Sequence, residues 1–191
     1  MVVATLVNAF FEKRVEQLFD LAEALEGALS SAGIDYRIVG GLADYLHIEE
    51  AQPDAGRLTR DIDVAVRRQD LERIAAAVRP LGLEYRRIAG VDMLVQSAAP
   101  SAKRAVHLAL AGEKVRPEYA EPVPEFGLFR KIRGIRVVSV ADLVRMKLTS
   151  FVAKDEAHIK DLDEAGLITA EVEANLSPVL RSRLAQARER E

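Results

Sequence analysis

The chain has 191 residues, enough for one well-cored domain with a small appendage, and its 49% hydrophobic and 30% charged residues are ordinary for a soluble globular protein. Without cysteine it has no disulfide framework, thiolate metal site or cysteine nucleophile, and no apolar run approaches the roughly 20 residues of a membrane span. A formal net charge of −3 argues against a general nucleic-acid coat protein but leaves room for a local basic groove, and the N-terminus lacks a signal-peptide pattern, so a cytoplasmic location is expected.

In chain order, Asn8 to Ala32 predicts a long amphipathic helix: Val15, Leu18, Phe19, Ala22, Leu25 and Leu29 recur at helical spacing, and Gly33 closes it. A strand Tyr36–Val39 runs into Gly40-Gly41 and a short helix from Leu42 to about Glu50. A loop of turn formers follows, then a second strand, Asp61–Val66, and a helix from Gln69 to about Leu81 ended by Gly82. Leu83–Ile88, Val91–Gln96 and Ala105–Leu110 are strand candidates, the last two separated by a turn at Pro100-Ser101. Gly112 to Gly134 is polar and proline-rich and reads as a surface loop. A last strand, about Ile135–Val138, ends at Ser139, a good N-cap for a helix from Val140 to about Lys154. Asp155 restarts a helix through Ala165, Thr169 caps a final one that breaks near Ser177-Pro178, and the mixed-charge tail from Arg181 is expected to fray.

The chemistry concentrates between Tyr36 and Val66. Strand side chains alternate, so Asp61 and Asp63 point one way while Ile62 and Val64 point into the core. Two carboxylates on one face, with only Arg60 as a local cation, repel unless something positive sits between them, and Mg2+ commonly takes one or two carboxylates plus substrate phosphates. Gly40 and Gly41 leave bare backbone N–H groups for such phosphates at a helix N-terminus. Alone, the glycine pair reads as a plain tight turn and the Asp pair as a solvated edge; in sequence on successive strands they reinforce each other.

These residues support a resemblance. Gly40-Gly41 followed by Thr59-Arg60-Asp61-Ile62-Asp63 resembles the Gly-Gly/Ser…Asp-x-Asp signature of the nucleotidyltransferase superfamily related to DNA polymerase beta. Leu143-Val144-Arg145-Met146-Lys147-Leu148-Thr149-Ser150 resembles the Leu-x-x-Lys helix motif of its AbiEii-type branch, and the stretch Lys154 to Asp163 resembles the Asp-Leu-x-Asp type motif that follows there. The match spans about Tyr36 to Ala165. It implies an α+β fold: a nucleotidyltransferase-type mixed sheet flanked by helices, with a core over residues 1–139 and a helical region over 140–191 packed on it. It also implies transfer of a nucleoside monophosphate from an NTP, with Mg2+ or Mn2+, to RNA, protein or a small acceptor. The branch includes toxins of toxin–antitoxin systems, so a cognate antitoxin is among the implied partners; no membrane partner is.

On this resemblance Asp61 and Asp63 hold the metal, Gly40 and Gly41 cradle the β- and γ-phosphates, Lys147 reaches the triphosphate, and Asp161 orients Lys147 or the acceptor. Arg60 contacts phosphate or pairs with Asp61. By spacing alone, Lys147 reads equally as a solvent-facing helix lysine and Asp161 as part of an exposed acidic face. The superfamily usually carries a third carboxylate on a later core strand. Here Ala105–Leu110 offers His107, either a general base or metal ligand or a core histidine of a protein that binds nucleotide without turning it over. Asp92 on the preceding strand is the other candidate. His47 and His158 are too scattered to define a zinc site. A basic acceptor surface, if there is one, is expected among Lys114, Arg116, Arg130, Lys131 and Arg133. Two functions remain open: an active nucleotidyltransferase, or a catalytically weak protein of that fold that works by binding.

Overall fold

A computed structural model of the protein describes residues 2–57, 59, 61–98 and 105–189, with side chains from residue 16 onward. Seven strands build its sheet: β1 (Tyr36–Val39), β2 (Ile62–Val66), β3 (Leu83–Ile88), β4 (Val91–Gln96), β5 (Val106–Leu110), β6 (Phe129–Ile132) and β7 (Ile135–Val138). The helices are α1 (Val2–Ser31), α2 (Gly40–Ala51), α3 (Leu71–Val78), α4 (Val140–Ser150), α5 (Ala153–Glu164), α6 (Ala170–Ala174) and α7 (Pro178–Glu189). The fold is α+β, a mixed sheet flanked by helices with a helical C-terminal portion.

The strands lie in the order β3-β4-β5-β2-β1-β7-β6. β2 occupies the middle, antiparallel to β1 and parallel to β5. Period-two alternation sets its two faces. Ile62, Val64 and Val66 are buried in the main core, which also contains Leu25 and Leu29 of α1 and Ile74 and Val78 of α3. The opposite face carries Asp63, registered with Val39 of β1 on one side and His107 of β5 on the other. The two strands that flank β2 therefore set the residues registered on either side of Asp63.

Capping follows the sequence closely. The Asp142 N–H donates to the Ser139 hydroxyl at 3.2 Å to open α4, and the Val172 N–H donates to the Thr169 hydroxyl at 3.3 Å to open α6. Phe151, with φ +48, stops α4, and α5 resumes after Val152 rather than at Asp155. Three further boundaries depart from the expected pattern. The stretch Gly112–Gly134 is not all loop, because Phe129–Ile132 pairs with Ile135–Val138 as an edge hairpin. The helix after Arg67 is α-helical only over α3, with 3-10 turns at Arg68–Asp70 and Arg79–Leu81; Pro80 has no N–H to continue the ladder.

The third departure is the tail. It does not fray: α7 buries Leu180, Leu184 and Ala187 completely and packs against α4 and α5. Its apolar residues recur at i, i+4 and i+7, a stripe masked in the sequence by the arginines between them. The expected turn at Pro100-Ser101 lies outside the described residues. Among the described residues, no helix is long and apolar enough to cross a membrane.

Candidate active site

The site begins at the end of β1. The chain turns from Val39 directly into α2 without a side-chain cap, and Gly40 sits in the left-handed region at φ +66. A Cβ at Gly40 would lie 2.8 Å from Asp63 Cγ, and one at Gly41 would lie 2.7 Å from the Thr59 hydroxyl. Gly40 is therefore required for conformation as well as for space and Gly41 for space, and the Asp63 carboxylate rests directly on the turn. The Gly-Gly turn and the carboxylate strand meet at one point.

Asp63 is about one-third exposed and accepts a hydrogen bond from His107 Nδ1 at 3.3 Å. That bond holds the His107 imidazole above its ordinary pKa; partial burial opposes the shift, and the charges of Asp63 and Asp61 add to it. Asp61 lies just before β2, where its own N–H faces the Thr59 hydroxyl at 3.4 Å. Among the described residues, no lysine or arginine is within ion-pair distance of Asp61 or Asp63. Two partly exposed carboxylates without a cation are the donor set that a hard divalent ion with phosphate co-ligands fits. No three His, Asp or Glu side chains among the described residues converge on a site sufficient by itself for a metal.

Behind the turn lies a buried polar cluster. Lys147, on α4, is only 3% exposed; its ammonium donates to His158 Nδ1 on α5 and stands 3.7 Å from Asp155 Oδ1. Burial lowers the Lys147 pKa, with the charges of Asp44 and Asp155 resisting, and the Asp63 charge also acts on it. His158 is pushed down to about 3 by burial and by the Lys147 and Lys154 charges, so it is the neutral acceptor of this bond. It also borders the turn: a Cβ at Gly41 would lie 3.7 Å from His158 Cε1. Asp161 is paired with Arg57 at 2.6 Å rather than with Lys147.

No protein-family model matches the sequence, and no curated protein matches it significantly. Solved structures do. The solution structure of the antibiotic-resistance factor ANT(2'')-Ia is 19% identical over 91% of this chain and 93% of its own, with a TM-score of 0.57. The chain has a nucleotidyltransferase fold. An antigenic nucleotidyltransferase-like protein from Paracoccidioides brasiliensis is 20% identical, covering 90% of this chain and 87% of its own at a TM-score of 0.55. ANT(2'')-Ia in complex with adenylyl-2''-tobramycin is 17% identical, covering 89% and 98%, again at 0.55. At these identities the likeness is one of fold.

Within this nucleotidyltransferase fold the expected site residues separate into groups. Gly40, Gly41, Asp63 and His107 come together, with Asp61 just before the strand that carries Asp63. Lys147 and Asp161 lie on the two helices behind them, and Arg60 is outside the described residues. Lys147 is not the solvent-facing lysine its spacing allowed. Asp92 does not serve as a third carboxylate: it is registered with Leu108, on the face opposite His107, and accepts a 2.5 Å hydrogen bond from the Tyr85 hydroxyl. His107 takes the place beside Asp63. His47 is a core histidine, buried with Nε2 bonded to the Val138 carbonyl at 2.8 Å. Asp44 was not anticipated: it is wholly buried in α2, and its one sequence signal is a carboxylate set within the apolar run Leu42 to Ile48.

Proposed function

We propose that the chain is a Mg2+-dependent nucleotidyltransferase that moves a nucleoside monophosphate from an NTP to an acceptor hydroxyl. The observation that supports this reading is the seat of the Asp63 carboxylate on Gly40, which sets that carboxylate beside the bare backbone of the turn. The N–H groups at Gly40 and Gly41 receive the β- and γ-phosphates. Asp61 and Asp63 would hold Mg2+ or Mn2+, which would supply neutralisation of phosphate charge and Lewis-acid polarisation of the phosphoryl oxygens. Lys147 turns from the interior toward the triphosphate, and Asp161 orients that region. The carboxylates and glycines belong to a core over residues 1–139, the lysine to the helices of 140–191.

His107 has a defined part in this reading. With Nδ1–H given to Asp63, Nε2, which has no partner among the described residues, is the nitrogen that takes the proton of an acceptor hydroxyl. ATP is the first donor to test and a small polyhydroxylated molecule the first acceptor, given the adenylylated tobramycin bound by ANT(2'')-Ia. RNA and protein acceptors follow. The succession of Lys147 on α4 and Asp161 on α5 supports the AbiEii-type branch, and with it a toxin role opposed by a cognate antitoxin. A second reading rests on His107 itself: a histidine where a third carboxylate is expected suits a protein of this fold that binds nucleotide and a partner with little turnover.

The test is transfer of label from each α-labelled NTP with Mg2+, scored with tobramycin, total RNA or the chain alone as acceptor, and with pyrophosphate release in parallel. Transfer by the native chain and none by Asp63→Asn supports the enzyme. Metal-dependent binding of an NTP without transfer or pyrophosphate release selects the binding protein. Binding of no NTP refutes both.

A further inference from the structure

Among the described residues, Asp44 is the one buried carboxylate with both oxygens lacking a hydrogen-bond partner. It lies three residues after Gly41 on α2 and is 0% exposed. Buried carboxylates are costly unless paired, so an orphaned one points to a role beyond packing. The charged groups that face it from the surrounding elements are Lys147 on α4, Asp155 and Asp161 on α5, and Arg57 in the loop after α2. Of these, Lys147 is the one buried cation, and at rest it gives its hydrogen bond to His158 instead. Lys147 thus has three claimants inside the protein, His158, Asp155 at 3.7 Å and Asp44, and a fourth, the phosphate seat at Gly41, just beyond His158.

We infer that Asp44 is a positioning residue that acts through Lys147: it balances the buried ammonium at rest and takes up a proton when that ammonium turns to a bound triphosphate. The inference rests on the nucleotidyltransferase reading above and on Lys147 as the cation that leaves. Its chemistry is electrostatic. Moving Lys147 away strips Asp44 of the positive charge that acts on it most strongly while Asp155 and Asp161 remain, and a carboxylate so placed is neutral only when protonated. The proton comes from solvent, so nucleotide binding is coupled to proton uptake. Asp44 already stands at the threshold, since burial raises its pKa to about 7, with Lys147 opposing and Asp161 and Asp155 adding.

The experiment is calorimetric titration of the full chain at pH 7.5 with Mg2+ and each of ATP, GTP, CTP and UTP, in buffers of different ionisation enthalpy. The slope of observed enthalpy against buffer enthalpy counts protons taken up per nucleotide. For the nucleotide that binds, the native chain should take up about half a proton more than Asp44→Asn. Lys147→Met should lose the same increment, because Asp44 is then protonated both before and after binding. This second variant tests the inference even if Asp44→Asn does not fold. Equal proton uptake by the native chain and either folded variant, with binding retained, overturns the role of Asp44 and leaves the nucleotidyltransferase reading standing. Failure of the native chain to bind any of the four nucleotides removes both together.

Discussion

Asp44→Asn should change how the protein's stability depends on pH, before any ligand is added. The wild-type carboxyl is wholly buried, and its pKa is raised from 3.8 to about 7, chiefly by burial. For an acid whose folded pKa lies above its unfolded one, the folded state holds the extra proton between the two values. Stability is therefore greatest at low pH and falls as pH rises through that window. The window is about three pH units wide, which at about 1.4 kcal/mol each is about 4 kcal/mol, the order of magnitude of the full penalty. From pH 5 to pH 8 the accessible part is about 3 kcal/mol. Lys147 is shifted in the opposite sense, below its ordinary value, so its own effect is to raise stability as pH climbs on the alkaline side. Asparagine keeps the shape of the side chain and cannot ionise. Urea unfolding of both chains at intervals from pH 5 to pH 8 should show the wild type losing about 3 kcal/mol relative to the variant. Curves that run parallel across this range would refute the reasoning, because they would mean that Asp44 titrates alike folded and unfolded.

Other substitutions probe the remaining links from sequence to site. Gly40→Ala must place a Cβ at φ +66 against Asp63, costing about 1–2 kcal/mol, or roughly 4 °C in thermal midpoint, and displacing the carboxylate; a variant with native midpoint and native Mg-nucleotide affinity would contradict this. Asp63→Asn should lower label transfer by more than about 100-fold, the upper loss seen for mere supporting residues of metal sites, while leaving the unfolding midpoint nearly unchanged because the side chain is partly exposed. Leu184→Ala should destabilise the fold by about 2–5 kcal/mol in denaturant titration, the cost of a cavity in a packed core; a loss below about 0.5 kcal/mol would return the C-terminal segment to a frayed tail.

Much of this molecule was legible without coordinates. Alternation along Asp61–Val66 assigned Ile62 and Val64 to the core and Asp63 to the other face, because a strand has only two faces. The glycine pair before a helix and the Ser139 and Thr169 caps are local matters of backbone conformation and short-range hydrogen bonds, which sequence spacing encodes directly; the stop of α4 at Phe151, short of Lys154, was not among them. The mixed α+β architecture was what the resemblance carried by Gly40-Gly41 and Asp61-Ile62-Asp63 implied.

What the tertiary structure decided are relations between residues far apart in the chain. Strand order put His107, and not Asp92, beside Asp63, since register across a sheet is a long-range property that a strand does not carry within itself. The hairpin in Gly112–Gly134 and the burial of α7 likewise depend on partners elsewhere in the chain. Lys147 is the sharpest case. Its own helix leaves it equally able to face water or the interior; the packing of α2 and α5 buries it, gives its ammonium to a neutral His158, and sets an unpartnered Asp44 beside it. A charge acquires its chemical meaning from its dielectric surroundings and its counter-charges, and folding supplies both.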